Sequence, residues 1–172
     1  MNLVVISDTH GNYPAAIRAV ESISPVDLVI HLGDFCDDTL PLQAALPYKI
    51  IRVPGNCDIG ASIPRELFMR FAGVPFFLCH GDLYGVKSDL SRLRQQAKRI
   101  GAEVVLFGHT HTPLVTADEG VLMVNPGAIQ KGGPAPSFAL VTVEEGTVSA
   151  RIIYLSGQEP ALPLVSCTEN AV

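Results

Sequence analysis

Short apolar runs that stop abruptly at Asp, Asn or His recur along this chain, and they constrain its fold more than any other feature. Val104-Val105-Leu106-Phe107 leads directly into Gly108-His109-Thr110-His111. A run rich in β-branched and aromatic residues predicts a buried strand. In an extended backbone the side-chain period is two, so His109 and His111 are expected to point the same way, with Thr110 opposed. Two imidazoles on one side of a strand end suit a transition metal. Four other runs stop in the same manner. Residues 3–6 lead to Asp8 and His10, 27–32 to Gly33-Asp34, 48–53 to Gly55-Asn56-Cys57-Asp58, and 74–79 to His80.

The spacers between these runs read as helices and hairpins. Asn12 reads as an N-cap before a stripe of Ala16, Ile17, Val20 and Ile23, with Pro14 in the first turn. A short helix is expected at 40–46. This β-α-β-α-β order predicts parallel strands. Leu90, Leu93, Ala97 and Ile100 form the apolar stripe of a helix over 88–100, with Ser88 as N-cap and Gly101 just past its end. Residues 65–71 and 74–79 read as a pair of strands. Hairpins follow at 114–124, turning at Glu119-Gly120, and at 138–155. Lys131 lies in a loop over 131–136 that can flank a cleft. The tail from 156 to 172 shows no period and either covers a sheet edge or stays disordered.

At 172 residues, 48% of them hydrophobic, the chain reads as one domain over 1–172 with a sizeable core. The net charge of −5, without a Lys/Arg run, excludes broad electrostatic binding of nucleic acid or of an anionic membrane. An anionic substrate held by cations stays compatible with that charge. The start of the chain has no basic, apolar and small-residue succession of a leader, and no run is long enough to span a bilayer. The expected location is the cytoplasm. Cys36, Cys57, Cys79 and Cys167 form no C-x-x-C pair, so reduced thiols are expected and a thiolate zinc site is not.

In open α/β sheets, side chains at the carboxyl ends of parallel strands meet in one crevice. Two carboxylates, one amide and four imidazoles would gather there. That set exceeds the four ligands of a structural zinc. It suits two divalent transition metals sharing a carboxylate, with manganese, zinc, iron, nickel and cobalt all compatible. His31, inside an apolar strand, reads as a core histidine. Asp37, Asp38 and Asp82 read as loop, cap and turn residues.

The blocks Asp8-Thr9-His10, Gly33-Asp34, Gly55-Asn56, His80 and Gly108-His109-Thr110-His111 resemble, in order, the pattern of the calcineurin-like metallophosphoesterases. The compact size and the Gly-Asn-Cys-Asp block resemble the small prokaryotic phosphodiesterase branch, which includes relatives of the retromer scaffold subunit. The resemblance implies a four-layer α/β/β/α sandwich of two mixed sheets flanked by helices. It implies that Asp8, His10 and His111 bind one metal and that Asn56, His80 and His109 bind a second. Asp34 would bridge the two. The implied activity is a metal-dependent phosphodiesterase in which a metal-bridging hydroxide attacks phosphorus.

Asn56 has a catalytic role in this reading, since its amide N–H can also reach a phosphate oxygen. Many relatives place a histidine after that Asn, thought to protonate the leaving group. Here Cys57 stands in its place, which favours diesters over monoesters with poor leaving groups. Asn12, Cys57 and Asp58 are candidates for the surrounding shell, with Asp58 able to orient an imidazole. The expected partner is a small phosphodiester, nucleotides among the candidates, and neither a membrane nor a long duplex. The alternative is a non-catalytic scaffold on the same fold. Apolar residues of the 138–155 hairpin and the tail serve either a homo-oligomer or the core.

Overall fold

The computed structural model describes residues 1–133, 135–156 and 165–167. Strand β1, Asn2–Ile6, has Leu3 to Ile6 wholly buried. Leu3 and Val5 enter one core, while Val4 and Ile6 enter another. Burial of both faces explains the unbroken apolar run, which is the pattern of a central parallel strand. Strand β2, Leu28–His31, pairs parallel with β1, and β3, Ile50–Arg52, pairs parallel with β2. Helices α1, Tyr13–Glu21, and α2, Thr39–Ala45, connect them.

The second sheet begins with the antiparallel pair β4, Glu66–Phe71, and β5, Val74–Cys79. Helix α3, Ser91–Ile100, leads to β6, Val104–Leu106, parallel to β5. The hairpin of β7, Leu114–Asp118, and β8, Val121–Asn125, completes the order β4-β5-β6-β8-β7. The chain then returns to the first sheet as the hairpin β9, Ser137–Glu144, and β10, Thr147–Tyr154. Strand β11, Val165–Cys167, pairs with β10 at the sheet edge, giving β11-β10-β9-β1-β2-β3. That part of the tail covers an edge, as one of the two readings of 156–172 has it. The rest of the tail after 156, and Pro134 in the expected loop, lie outside the described residues.

Three apolar clusters separate four layers. Phe76, Leu78, Leu106, Leu122 and Val141 pack between the two sheets. Ala16, Ala19, Val20 and Leu42 of α1 and α2 pack on the outer face of the first sheet, against Val4, Ile6, Val29 and Phe138. Leu93 and Ala97 of α3 pack on the second, against Phe77, Val105 and Met123. Ala139, Val141, Val143, Val148 and Ala150 of the β9–β10 hairpin are therefore core residues. No helix among the described residues is long and apolar enough to cross a membrane.

One helix start and one cap differ from expectation. Helix α3 begins at Ser91 instead of 88, because Asp89 Oδ1 accepts from both the N–H and the hydroxyl of Ser91 at 2.8 and 2.5 Å. Asn12 occupies the cap position of α1 but does not cap with its side chain. Its Nδ2 instead donates to Ile129 O, 117 residues away.

Leu93 is the fully buried anchor of α3. Leu93→Ala is expected to lower the unfolding free energy by about 2–5 kcal/mol, the usual cost of such a cavity. Urea denaturation of the purified variant measures this directly.

Candidate metal centre

The parallel strands carry their ligand-type residues past their ends into loops. Asp8, His10, Asp34, His109 and His111 have φ of 53°, 44°, 56°, 69° and 58°, all in the left-handed region. Asp and His tolerate this region better than most side chains, and such strain collects at functional sites. The backbone there is not extended, and the expectation from strand alternation fails for the histidine pair. His111 Nε2 lies 3.0 Å from Asp8 Oδ1, whereas His109 Nδ1 lies 3.2 Å from His80 Nε2. The two imidazoles thus part to neighbouring groups of donor side chains.

The glycines before the ligands have a steric cause. A Cβ on Gly33, whose φ is +98°, would sit 2.5 Å from Gly55 N. A Cβ on Gly55 would strike Asp34 Oδ1, and one on Gly108 would strike Ser7 Oγ. The loops after β2 and β3 touch through their backbones, and the loop after β6 lies with its backbone against the side chains of Ser7 and Asp8.

Two groups of donors result. The donor atoms of Asp8, His10, Asp34 and His111 all lie within 4.8 Å of one another. In the second group, His80 Nε2 is 3.2 Å from Asn56 Oδ1, 3.2 Å from His109 Nδ1 and 3.5 Å from Asp34 Oδ1. Asp34 belongs to both, since its Oδ2 lies 3.7 Å from His10 Nε2. All seven ligand candidates therefore converge, with Asp34 between the two halves.

Asp8 is wholly buried. Its Oδ2 accepts from Ser7 Oγ at 2.5 Å and from His109 N at 3.1 Å. Burial pushes its carboxyl up, but the His111 bond, the charge of His80 and the Ser7 bond outweigh this and hold it below the ordinary range. The same contact with Asp8 raises His111, against its desolvation. Burial, then the charges of His80 and Lys87, lower His109. His80 Nδ1 lies 2.8 Å from Leu32 O. A carbonyl only accepts, so Nδ1 carries a proton and Nε2 faces the centre.

Donors of this kind fit divalent cations. Among the described residues, Asp8 Oδ1 and His10 Nε2 are buried with no aligned hydrogen-bond partner. Buried polar atoms rarely stay unmatched, and both belong to the group that draws together two carboxylates and two imidazoles. An oxygen and nitrogen set without thiolate suits manganese, iron, zinc, nickel or cobalt.

The surrounding candidates fare differently. Asp58 orients no imidazole. Its Oδ2 accepts from Gly55 N at 2.7 Å and its Oδ1 from Cys36 N at 2.8 Å, so it shapes the loop that carries Asn56. Cys57 donates its backbone N–H to Asp34 Oδ1 at 2.9 Å, while desolvation, then Asp34, push its thiol up to about 11. Asn12 is tied to Ile129, as described above. Asp37 pairs with Arg52, and Asp82 with Arg65.

Other contributors escaped the sequence reading. Asn125 Nδ2 donates to Gly108 O and Thr110 Oγ1, while its Oδ1 accepts from Gly127 N. A signal existed, since Asn125 also ends an apolar strand. Gln130 Nε2 lies 2.9 Å from His111 Nδ1, and its loop carries no comparable signal.

His31 is a satisfied core histidine, as expected. Gly33 N donates to its Nδ1 at 3.1 Å, which leaves the proton on Nε2, 3.1 Å from Thr9 Oγ1. Thr9 Oγ1 donates onward to Asp38 Oδ2, which also accepts from Gly11 N. The chain of bonds brackets the Asp8–His10 loop on both sides. Burial lowers His31 from 6.5 to about 4. Below its unfolded pKa the unfolded chain takes up a proton that the folded chain refuses. Stability therefore falls as pH drops from about 6.5 toward 4, by on the order of 3 kcal/mol at most from this residue. Urea midpoints of metal-free protein should fall less steeply over that window in His31→Gln than in the native protein.

The family model of the calcineurin-like phosphoesterase superfamily domain matches residues 1–146. A probable metallophosphoesterase of Bacillus subtilis, YsnB, is 33% identical over 162 residues, covering 92% of this chain and 94% of its own. The phosphodiesterase YfcE of Escherichia coli K12 is 28% identical over 169 residues, covering 82% and 87%. Zinc-complexed Vps29 of Entamoeba histolytica superposes with a TM-score of 0.81 at 19% identity, over 96% of this chain and 99% of that one, a likeness of fold. The family match and the full-length likeness to YsnB agree with the architecture, and the chain belongs to the calcineurin-like phosphoesterase superfamily.

Proposed function

We propose that this protein is a dinuclear metal-dependent phosphodiesterase. The observation that carries this reading is the placement of Asp34 between two complete donor groups. Asp8, His10 and His111 would hold one cation, and Asn56, His80 and His109 the other, with Asp34 touching both. Manganese is the preferred occupant, with zinc, iron, nickel and cobalt as alternatives of the same chemistry. Two such cations would supply Lewis acidity toward a phosphoryl oxygen and would make a water at the centre more acidic.

The chain's own residues do the rest. Asn56 is exposed, and its Nδ2 makes only a 3.5 Å contact to Cys57 Sγ. Sulfur is a weak acceptor, so this N–H is free to turn to a phosphate oxygen while Oδ1 faces the centre. The Leu32 carbonyl fixes the tautomer of His80, and Asp8 Oδ2 anchors the backbone of His109. Cys57 acts through its backbone on Asp34, and the leaving group departs without its help. The similarity to YfcE supports a small phosphodiester as substrate.

Hydrolysis of bis(p-nitrophenyl) phosphate by chelated and then manganese-loaded protein tests this reading. Activity should vanish with chelation and return with metal. His109→Ala should lose more than the roughly 10–100-fold typical of an outer partner, without loss of fold. Cys57→Ser should stay within about tenfold of the native rate, well short of a ligand's loss. No turnover with any of the five metals would favour the scaffold reading.

A further inference from the structure

Phe35 is accounted for neither by the core nor by the donor set. It follows Asp34 directly and is 46% exposed. Its φ of 64° places an aromatic residue in left-handed backbone, where Asn, Asp or Gly would sit with less strain. Its aromatic contact within the protein is with His10, ring centroids 5.2 Å apart and planes inclined at 57°. The ring is thus fixed against a ligand candidate while much of it remains open to solvent. The next residue, Cys36, donates its N–H to Asp58 Oδ1, which sets this turn against the loop carrying Ile59, itself 96% exposed. The exposed ring of Phe35 therefore borders the centre on the side of His10.

We propose that Phe35 is a stacking platform for a nucleobase, so that the substrate is a nucleoside phosphodiester. This rests on the phosphodiesterase reading above. A phosphate held beside His10 would lie one ring contact from Phe35, a gap that a ribose spans. Every base offers a π face, and an aromatic side chain binds it with little regard to sequence. Simple alkyl diesters present no such face and gain nothing from the ring.

The chain contains no tryptophan, so Phe35→Trp installs a single reporter on the platform. Zinc-loaded Phe35→Trp is titrated with adenosine 5′-monophosphate, ribose 5-phosphate and inorganic phosphate while its emission is followed. Calorimetry on zinc-loaded native protein, Phe35→Leu and Phe35→Ala measures the same ligands. The expected result is saturable quenching by the nucleotide alone, with native affinity about tenfold above that for ribose 5-phosphate. That preference should disappear in Phe35→Leu, which keeps apolar volume without the aromatic face, and in Phe35→Ala. Equal native affinities for nucleotide and ribose 5-phosphate, with diester hydrolysis intact, would overturn the platform alone. A native preference that survives in Phe35→Leu would also overturn it, by placing the base elsewhere. Absence of both phosphate binding and hydrolysis would overturn the platform together with the phosphodiesterase reading.

Discussion

A wholly buried carboxylate joins the two sheets. Asp8 leaves the central strand of the first sheet and meets Ser7, the backbone of His109 and the ring of His111, the latter two carried by the loop after β6 of the second. A buried charge is tolerated only when paired and hydrogen-bonded. The two sheets therefore cannot separate at this end without stranding it. Gly108 follows from the same constraint, since a Cβ there would strike Ser7 Oγ where the loops meet. The inter-sheet core fixes the distance between the sheets, and Asp8 fixes their alignment at the end where the ligands gather.

The converging donor side chains are aimed by turns of left-handed backbone. Residues held in sparsely populated backbone cost of order 1–3 kcal/mol each and persist when their surroundings leave no alternative. The polar network around the centre provides that confinement. Thr9, between His31 and Asp38, holds the first turn. Asp58 holds the turn of Gly55, and Asn125 holds Gly108 and Thr110. None of these needs to touch a metal to matter for its geometry. Donors fixed in this way would lose little conformational entropy on binding a cation.

The sequence exposes those parts of the fold that burial writes into it. β1 and β6 are unbroken apolar runs because both of their faces are covered, and α3 shows its period because one face meets the sheet. The residues that converge at the centre were legible by type and by their place at strand ends. Their directions were not, because a period of two applies only while the backbone stays extended, and it turns left-handed at Asp8, His10, Asp34, His109 and His111. Ser88 failed as a cap because Asp89, one residue on, bonds the Ser91 amide. Asp58 and Gln130 depend on loops brought together by the tertiary fold, which no local pattern encodes.

The charge balance gives the centre its logic. The chain carries −5 overall, and the donor groups add two buried carboxylates where an anionic ester would have to bind. No lysine or arginine forms an ion pair with Asp8 or Asp34 among the described residues, and Lys87 reaches His109 and His111 only through its field. A phosphodiester approaching such a site meets repulsion unless cations reverse the local sign. In the proposed reading, substrate affinity and metal occupancy are thus one property. Cations held there would neutralise Asp8 and Asp34, and the remaining positive charge would be what the phosphate meets. The acidic composition that argues against broad nucleic-acid binding would then also leave the metal-free protein with little affinity for phosphate esters.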